Sequence, residues 1–180
     1  MDDPDLPLLT AVARGDQRAL EVLYERHGQA LLAYAVSMLG DLAAAQEAVQ
    51  DTMLACWRQA SGFASRSTVR TWLFGIVRRQ GLSRLRRRTE PSMDTRDLSV
   101  ADSSPGPEQT ALARAEVAEV RAALKHLSDE HREVLWLTFG AELPQAGIAE
   151  MLGIPVGTVK SRLHLARAAL GAALPEEAHR

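Results

Sequence analysis

Eight arginines lie between Arg66 and Arg88, and no aspartate or glutamate interrupts them. Like charges at this density repel each other unless an anion neutralises them. Arginine suits phosphate because its planar guanidinium donates several hydrogen bonds at once. Phe63, Trp72 and Phe74 lie in the same region and offer flat apolar surfaces to exposed bases, although an aromatic residue at helical spacing is more often part of a core. The segment therefore favours binding of a nucleic-acid strand.

A second stretch, Leu143 to Leu170, has the pattern of two helices joined by a tight turn. Gly153 and Pro155 supply the stop and the fixed φ that such a turn needs. We expect the second helix to begin around Gly157 and Thr158. At 100° per residue, its inward positions are Val159, Leu163, Ala166 and Leu170. Its outward positions are Gly157, Lys160, Ser161, His164, Leu165 and Ala168.

Arg162 and Arg167 flank that outward face, within reach of a phosphate backbone. A helix with one buried stripe, one face of short hydrogen-bonding side chains and arginines at its edges is typical of major-groove readers. The alternative is an ordinary amphipathic hairpin with a solvated basic face. The spacing alone leaves both interpretations open.

The composition excludes several classes of protein. With 180 residues and a net charge of -2, the chain holds one domain or two small ones. It contains no apolar run of about 20 residues and begins with acids, so we expect a cytoplasmic protein. Cys56 is the only cysteine, and the five histidines have no metal-ligand spacing. Since no nucleophile elbow or phosphate loop is present, we expect no catalytic residues, no metal and no cofactor.

The apolar periodicity predicts an all-α fold of two small helical domains, residues 1–88 and 113–175, joined by an acidic linker at 89–112 that is rich in proline and serine. In the first domain we expect one helix around Leu23 and a second that ends at Gly40. A third begins at Asp41, and its inward stripe is Ala45, Ala48, Val49, Thr52 and Cys56.

A fourth helix follows the loop at residues 61–68, with Trp72, Leu73, Ile76, Val77 and Leu85 facing in. In the second domain, a long helix from Ala113 to Leu127 precedes one that Ser128 caps and Gly140 closes, with Val134 and Leu135 in its core. The two helices of the Leu143 to Leu170 stretch come last.

These segments together resemble the extracytoplasmic-function group of bacterial RNA polymerase sigma factors. The resemblance extends over nearly the whole chain, in the expected order and spacing. The matching pieces are Leu23-Tyr24-Glu25-Arg26-His27, Gly40-Asp41, Val49 to Leu54 with Trp57-Arg58, Arg70 to Arg78, Leu85 to Arg88, Leu127-Ser128, Arg132-Glu133-Val134, Ile148 to Gly153 and Gly157 to Leu163.

The resemblance implies a non-enzymatic factor that gives core RNA polymerase its promoter recognition. The implied contacts to the β′ clamp helices are Gln50, Asp51, Leu54 and Arg58. Those to the minus-10 element and the melted non-template strand are Phe63, Arg66, Ser67, Thr68, Arg70, Arg78 and Arg79. Those to the minus-35 element are Thr158, Lys160, Ser161, Arg162, His164, Leu165 and Arg167. The second domain would also contact the polymerase β flap, and an anti-sigma factor is an implied partner.

The sequence departs from the usual pattern of the group at Ala44, Gln46, Gly147 and Leu165. Leu165 stands where arginine is common; it can contact a thymine methyl group but cannot hydrogen-bond a guanine edge. The resemblance therefore does not predict which promoters are read. The alternative functions are a stand-alone helix-turn-helix regulator, which would leave the basic segment without a role, and a hydrolase or metal enzyme.

Overall fold

The computed structural model describes residues 3–89 and 127–173, which belong to two compact units. We call these ranges the first and second unit. The predicted linker beyond Thr89 and the predicted helix from Ala113 to Leu127 fall almost wholly outside the described residues. Within the described ranges, all regular secondary structure is helical, as predicted. None of the described helices is long and apolar enough to cross a membrane.

Four α-helices and a short 3-10 turn form the first unit. The helices are α1 (Leu6–Ala13), α2 (Gln17–Leu39), α3 (Leu42–Gln59) and α4 (Val69–Thr89), and the 3-10 turn is Ala60–Gly62. Helix α2 packs against α3 and α4, while α1 lies against α2. The first unit is therefore a helical bundle with α2 at its centre.

Helix α3 agrees with the sequence-based prediction. The Asp41 carboxylate accepts a hydrogen bond of 2.7 Å from the amide of Ala44 and caps the first turn. All five residues of the predicted inward stripe are buried, and Gln46, Glu47, Gln50, Leu54 and Arg58 are exposed. The 3.6-residue period alone was sufficient here because α3 has one apolar face and one polar face.

The prediction was wrong at the start of the chain. Helix α1 was missed, and the two helices expected on either side of Gly28 are the single helix α2. The polar run Glu25 to Gln29 resembles a break, but His27 within it is buried and has buried partners. Tyr24 is 54% exposed, and its ring lies across Gly28.

Helix α4 packs one apolar side into the first unit. Leu73, Ile76 and Val77 are buried as predicted, whereas Trp72 and Leu85 are only half-buried. Phe74 was expected near exposed bases but is fully buried, with its ring 5.7 Å from that of Tyr34. The expectation for Phe74 was wrong because the apolar side of α4 is wider than its residue spacing suggested. It includes all four apolar positions from Leu73 to Val77.

The second unit contains α5 (Asp129–Phe139), α6 (Gln145–Leu152) and α7 (Val156–Ala173). The Ser128 hydroxyl accepts from the amide of His131 and caps α5, as predicted. Val134 is buried and Leu135 half-buried, while Leu137, which was not expected in the core, is fully buried. Helix α5 therefore faces its core mainly through Val134 and Leu137.

The turn between α6 and α7 follows the predicted chemistry. Gly153 has φ of +67°, a left-handed conformation that glycine adopts without strain. Its amide donates to the carbonyls of Ala149 and Glu150 and closes α6. Helix α7 then begins at Val156, one residue before the expected start. The described second unit thus ends in a helix-turn-helix.

Candidate nucleic-acid interface

Helix α7 presents two distinct faces. Val159, Leu163 and Ala166 are buried, and Leu170 is half-buried. The residues expected outside are all exposed, namely Gly157, Lys160, Ser161, His164, Leu165 and Ala168. Thr158 is half-buried at the start of the helix. The exposed face contains no acid, and its side chains offer a mixture of hydrogen-bonding and apolar contacts.

The two flanking arginines of α7 are both held by α5. The Arg162 guanidinium forms an ion pair of 2.5 Å with Glu130, and that of Arg167 lies 4.9 Å from the centre of the Phe139 ring. These contacts fix where the two charges lie, one on each side of the exposed face. The pairing was not visible in the sequence because it depends on how α5 crosses α7.

The loop before α4 lines a small, solvent-open cavity of about 110 Å³. Its lining residues are Asp3, Leu6, Phe63, Ser65, Arg66, Ser67 and Thr68. The Phe63 ring packs against Trp72 with centroids 5.2 Å apart, so one aromatic side chain supports the other. The structure thus brings together four of the predicted strand-binding residues, Phe63, Arg66, Ser67 and Thr68.

The backbone of this loop is held firmly. Ser65 has φ of +52°, which costs a non-glycine residue free energy and is found where the surrounding structure imposes it. The Thr68 hydroxyl accepts from the amide of Thr71 at 3.2 Å, and the Asp3 carboxylate accepts from the amide of Val69 at 2.7 Å. Two side chains therefore cap the start of α4, one local and one from the beginning of the chain.

The arginines of α4 differ in how they are engaged. Arg84 is only 16% exposed; it donates to Asp51 at 2.6 Å and lies 4.0 Å from Glu47. Arg88 donates to the carbonyl of Leu39 at the end of α2. Arg78 is half-buried and Arg79 is exposed, as is Arg66 in the preceding loop. Part of the basic face therefore serves the fold, and part remains on the surface.

Arg70 belongs to a buried polar network that joins three helices. The Asp5 carboxylate receives hydrogen bonds of 2.7 Å from Arg26 and from Nε2 of His27. The Arg70 guanidinium lies 3.3 Å from Nδ1 of the same histidine and 5.7 Å from the centre of the Phe74 ring. Since a guanidinium only donates, Nδ1 accepts, and Nε2 carries the hydrogen that Asp5 receives.

The outward face of α3 carries the four residues expected to contact polymerase. Leu54 is 52% exposed, and Gln50 and Arg58 are exposed on the same helix. Asp51 is half-buried because Arg84 covers it. Leu54 is thus the one apolar side chain among these four outward residues.

Neither a metal site nor a reactive thiol is found in the described parts of the chain. No group of three His, Cys, Asp or Glu side chains there is arranged to hold a metal ion. Burial raises the pKa of the Cys56 thiol to about 11, so Cys56 stays protonated and unreactive at neutral pH.

Comparison with known proteins agrees with this geometry. The model of Sigma-70 region 2 matches residues 23–90, and that of Sigma-70, region 4 matches residues 118–170. The RNA polymerase sigma factor CnrH of Cupriavidus metallidurans is 35% identical over 99% of this chain and 98% of its own length. The ECF RNA polymerase sigma factor SigL of Mycobacterium tuberculosis is 35% identical over 93% of this chain and 96% of its own length.

The structure of CnrH in complex with the cytosolic domain of CnrY superposes with a TM-score of 0.68 at 32% identity, covering 99% of this chain and all of CnrH. Two helical units, one with a helix-turn-helix and one with an arginine-faced helix, define a sigma-70-type transcription initiation factor. The chain belongs to the extracytoplasmic-function group of RNA polymerase sigma factors. It is a promoter-recognition factor and not an enzyme.

The buried network gives a stability prediction for the first unit. Asp5→Ala leaves the buried His27 without its acceptor, whereas the exposed Arg26 can turn to water, and an unsatisfied buried group costs about 1–3 kcal/mol. We expect the free energy of unfolding of the full chain to fall by about 2 kcal/mol, measured by urea denaturation with circular dichroism. Glu25→Ala, which removes an exposed acid from α2, should change it by less than about 0.5 kcal/mol. Equal effects of the two variants would contradict the network.

Proposed function

We propose that the two units divide promoter recognition between them, within the bounds 1–88 and 113–175 and with residues 89–112 as linker. The observation that supports this most directly is the exposed, acid-free outward face of α7, opposite a fully apolar inward face. The chain acts in the cytoplasm, where core polymerase and the promoter DNA are found.

In this proposal α7 lies in the major groove of the minus-35 element. Lys160, Ser161 and His164 reach base edges with hydrogen-bonding groups, and Leu165 contacts a thymine methyl group. Thr158 at the start of the helix and Arg162 and Arg167 at its flanks contact phosphate. Arg162 can do so while it is paired with Glu130, because a guanidinium has five N–H donors and the ion pair engages only part of them.

The first unit binds the minus-10 element and the melted non-template strand. The cavity at Phe63 to Thr68 receives one unstacked base, Arg66 neutralises the phosphate beside it, and Arg79, further along α4, neutralises another phosphate of the strand. Arg78 adds positive charge at the edge of this surface. Arg70 also contacts phosphate at this surface while it contacts His27 and Phe74, because a guanidinium has five N–H donors and these contacts engage only part of them. Unstacking a base costs a few kcal/mol, which a preformed pocket helps to offset.

Core polymerase binds the first unit through the outward face of α3, with Leu54 at the centre and Gln50, Asp51 and Arg58 around it, against the β′ clamp helices. The second unit contacts the β flap. The relative CnrH is known in complex with the cytosolic domain of CnrY. By analogy, we propose that an anti-sigma factor covers the polymerase-binding surface of this chain when it is inactive.

Two substitutions test the role of α7. Lys160→Ala combined with Ser161→Ala removes two exposed side chains and should leave the fold intact. We expect the preference of the holoenzyme for an intact over a scrambled minus-35 element to fall by about thirtyfold or more, since two base contacts are lost and each contributes about 1–3 kcal/mol of discrimination. Binding to core polymerase should be unchanged. Unaltered discrimination, or an equal loss of core affinity, would refute this assignment.

Leu54 provides the test of the α3 surface. Leu54→Ser removes an exposed apolar contact, so we expect affinity for core polymerase to fall about tenfold with no change in thermal melting. Titration of labelled protein with core polymerase measures the affinity. Leu42→Ser is the matched control, because Leu42 is 46% exposed on the same helix but outside the proposed contact. If the two variants behave alike, Leu54 is not the centre of the interface.

A further inference from the structure

One wall of the cavity beside the loop at Phe63 to Thr68 is formed by residues that do not belong to the loop. Asp3 and Leu6, at the beginning of the chain, line it together with the loop residues. Both precede residue 23, where the match to Sigma-70 region 2 begins. The site that we propose for strand capture is therefore completed by a segment outside the residues that match the family model.

Asp3 is fixed in this position by two backbone hydrogen bonds. One carboxylate oxygen accepts from the amide of Val69 at 2.7 Å, and the other accepts from the amide of Asp5 at 3.1 Å. Each oxygen retains a second lone pair, because a carboxylate accepts about four hydrogen bonds. Asp3 is half-buried, so its charge is neither fully solvated nor fully enclosed. The cavity thus has a wall that carries an immobile acceptor without a hydrogen to donate.

The chemistry of the wall decides what the cavity admits. Leu6 and Phe63 provide an apolar surface for a flat ring, and the Ser65, Ser67 and Thr68 hydroxyls both donate and accept hydrogen bonds. A carboxylate repels phosphate, so the occupant is the base of a nucleotide, while Arg66 is available to its phosphate. The cavity of about 110 Å³ is open to solvent, so a ring that enters it remains partly outside.

We propose that Asp3 is a specificity-determining residue that favours an unstacked pyrimidine with an exocyclic amine over one with a carbonyl at the same position. An amine donates to the carboxylate, whereas a carbonyl oxygen would face it with a like partial charge. This inference rests on the proposed capture of a base at the loop. It adds that the beginning of the chain contributes to selecting that base.

The test uses holoenzyme assembled from core polymerase and the full chain. The probe is a fork-junction DNA whose non-template minus-10 strand is single-stranded. An abasic site placed at each position in turn identifies the captured base by loss of affinity. Cytosine and uracil are then compared at that position, because they have the same size and differ on one edge: cytosine has an amine at C4 and an acceptor at N3, whereas uracil has a carbonyl at C4 and an N–H at N3.

We expect the wild-type holoenzyme to bind the cytosine probe about tenfold more tightly than the uracil probe, and Asp3→Asn to reduce this preference to about twofold. The asparagine carbonyl can still accept from the amide of Val69, so the start of α4 stays capped. Glu21→Gln is the control, because it removes the same charge from an exposed position on α2 and should keep the tenfold preference.

The outcomes distinguish a failure of the proposed strand capture from a failure of the proposed role of Asp3. If no abasic position weakens binding, the proposed strand capture is itself wrong. If a captured position exists but the wild type does not prefer cytosine, or Asp3→Asn keeps the full preference, the role of Asp3 is refuted. An Asp3→Asn variant that weakens both probes equally would show a merely structural role and would also overturn the inference.

Discussion

The first unit depends on one constraint: helix α4 must enter an apolar core while it carries a run of arginines. Leu73, Phe74, Ile76 and Val77 bury its apolar side. Its charges are accommodated individually, by ion pairing of Arg84 with Asp51 and by donation from Arg88 to the Leu39 carbonyl. Mutual repulsion is thereby reduced next to the core, and the arginines that point away keep their affinity for phosphate. The same helix can therefore be a structural element and a polyanion-binding surface.

In the proposed function, the second unit also divides two tasks, phosphate contact and base recognition, between different side chains. Contacts from α5 hold Arg162 and Arg167 at the two edges of α7, and between them the exposed face offers Lys160, Ser161, His164 and Leu165. Phosphate contacts position a helix in the groove, whereas base contacts specify the sequence. Arginines that are already fixed lower the entropy cost of positioning α7 on DNA, and the short side chains between them are left to provide sequence specificity. In the proposed docking, the departure at Leu165 affects which bases are read and not how the helix is seated.

Sequence alone predicted those features that depend on neighbours along the helix. The stripe of α3, the faces of α7, the caps Asp41 and Ser128 and the turn at Gly153 all follow from local spacing. It failed where partners are distant along the chain. The polar segment around His27 resembles a break between helices in the sequence, but in the structure His27 hydrogen-bonds with Asp5. Asp3 hydrogen-bonds with Val69, 66 residues further along the chain. The exposed reading face was therefore predictable, whereas the network behind Arg70 and the wall of the cavity were not.

The central claim is that the outer arginines of α4 bind promoter phosphates while the inner ones stabilise the fold. Salt dependence of promoter binding tests it most directly, because each lost phosphate contact makes the slope of log affinity against log salt shallower by about 1. For holoenzyme, Arg79→Gln should reduce the slope by about that amount, and Arg84→Gln should leave it unchanged because Arg84 is already paired within the unit. An unchanged slope for Arg79→Gln, or equal reductions for both variants, would contradict the account.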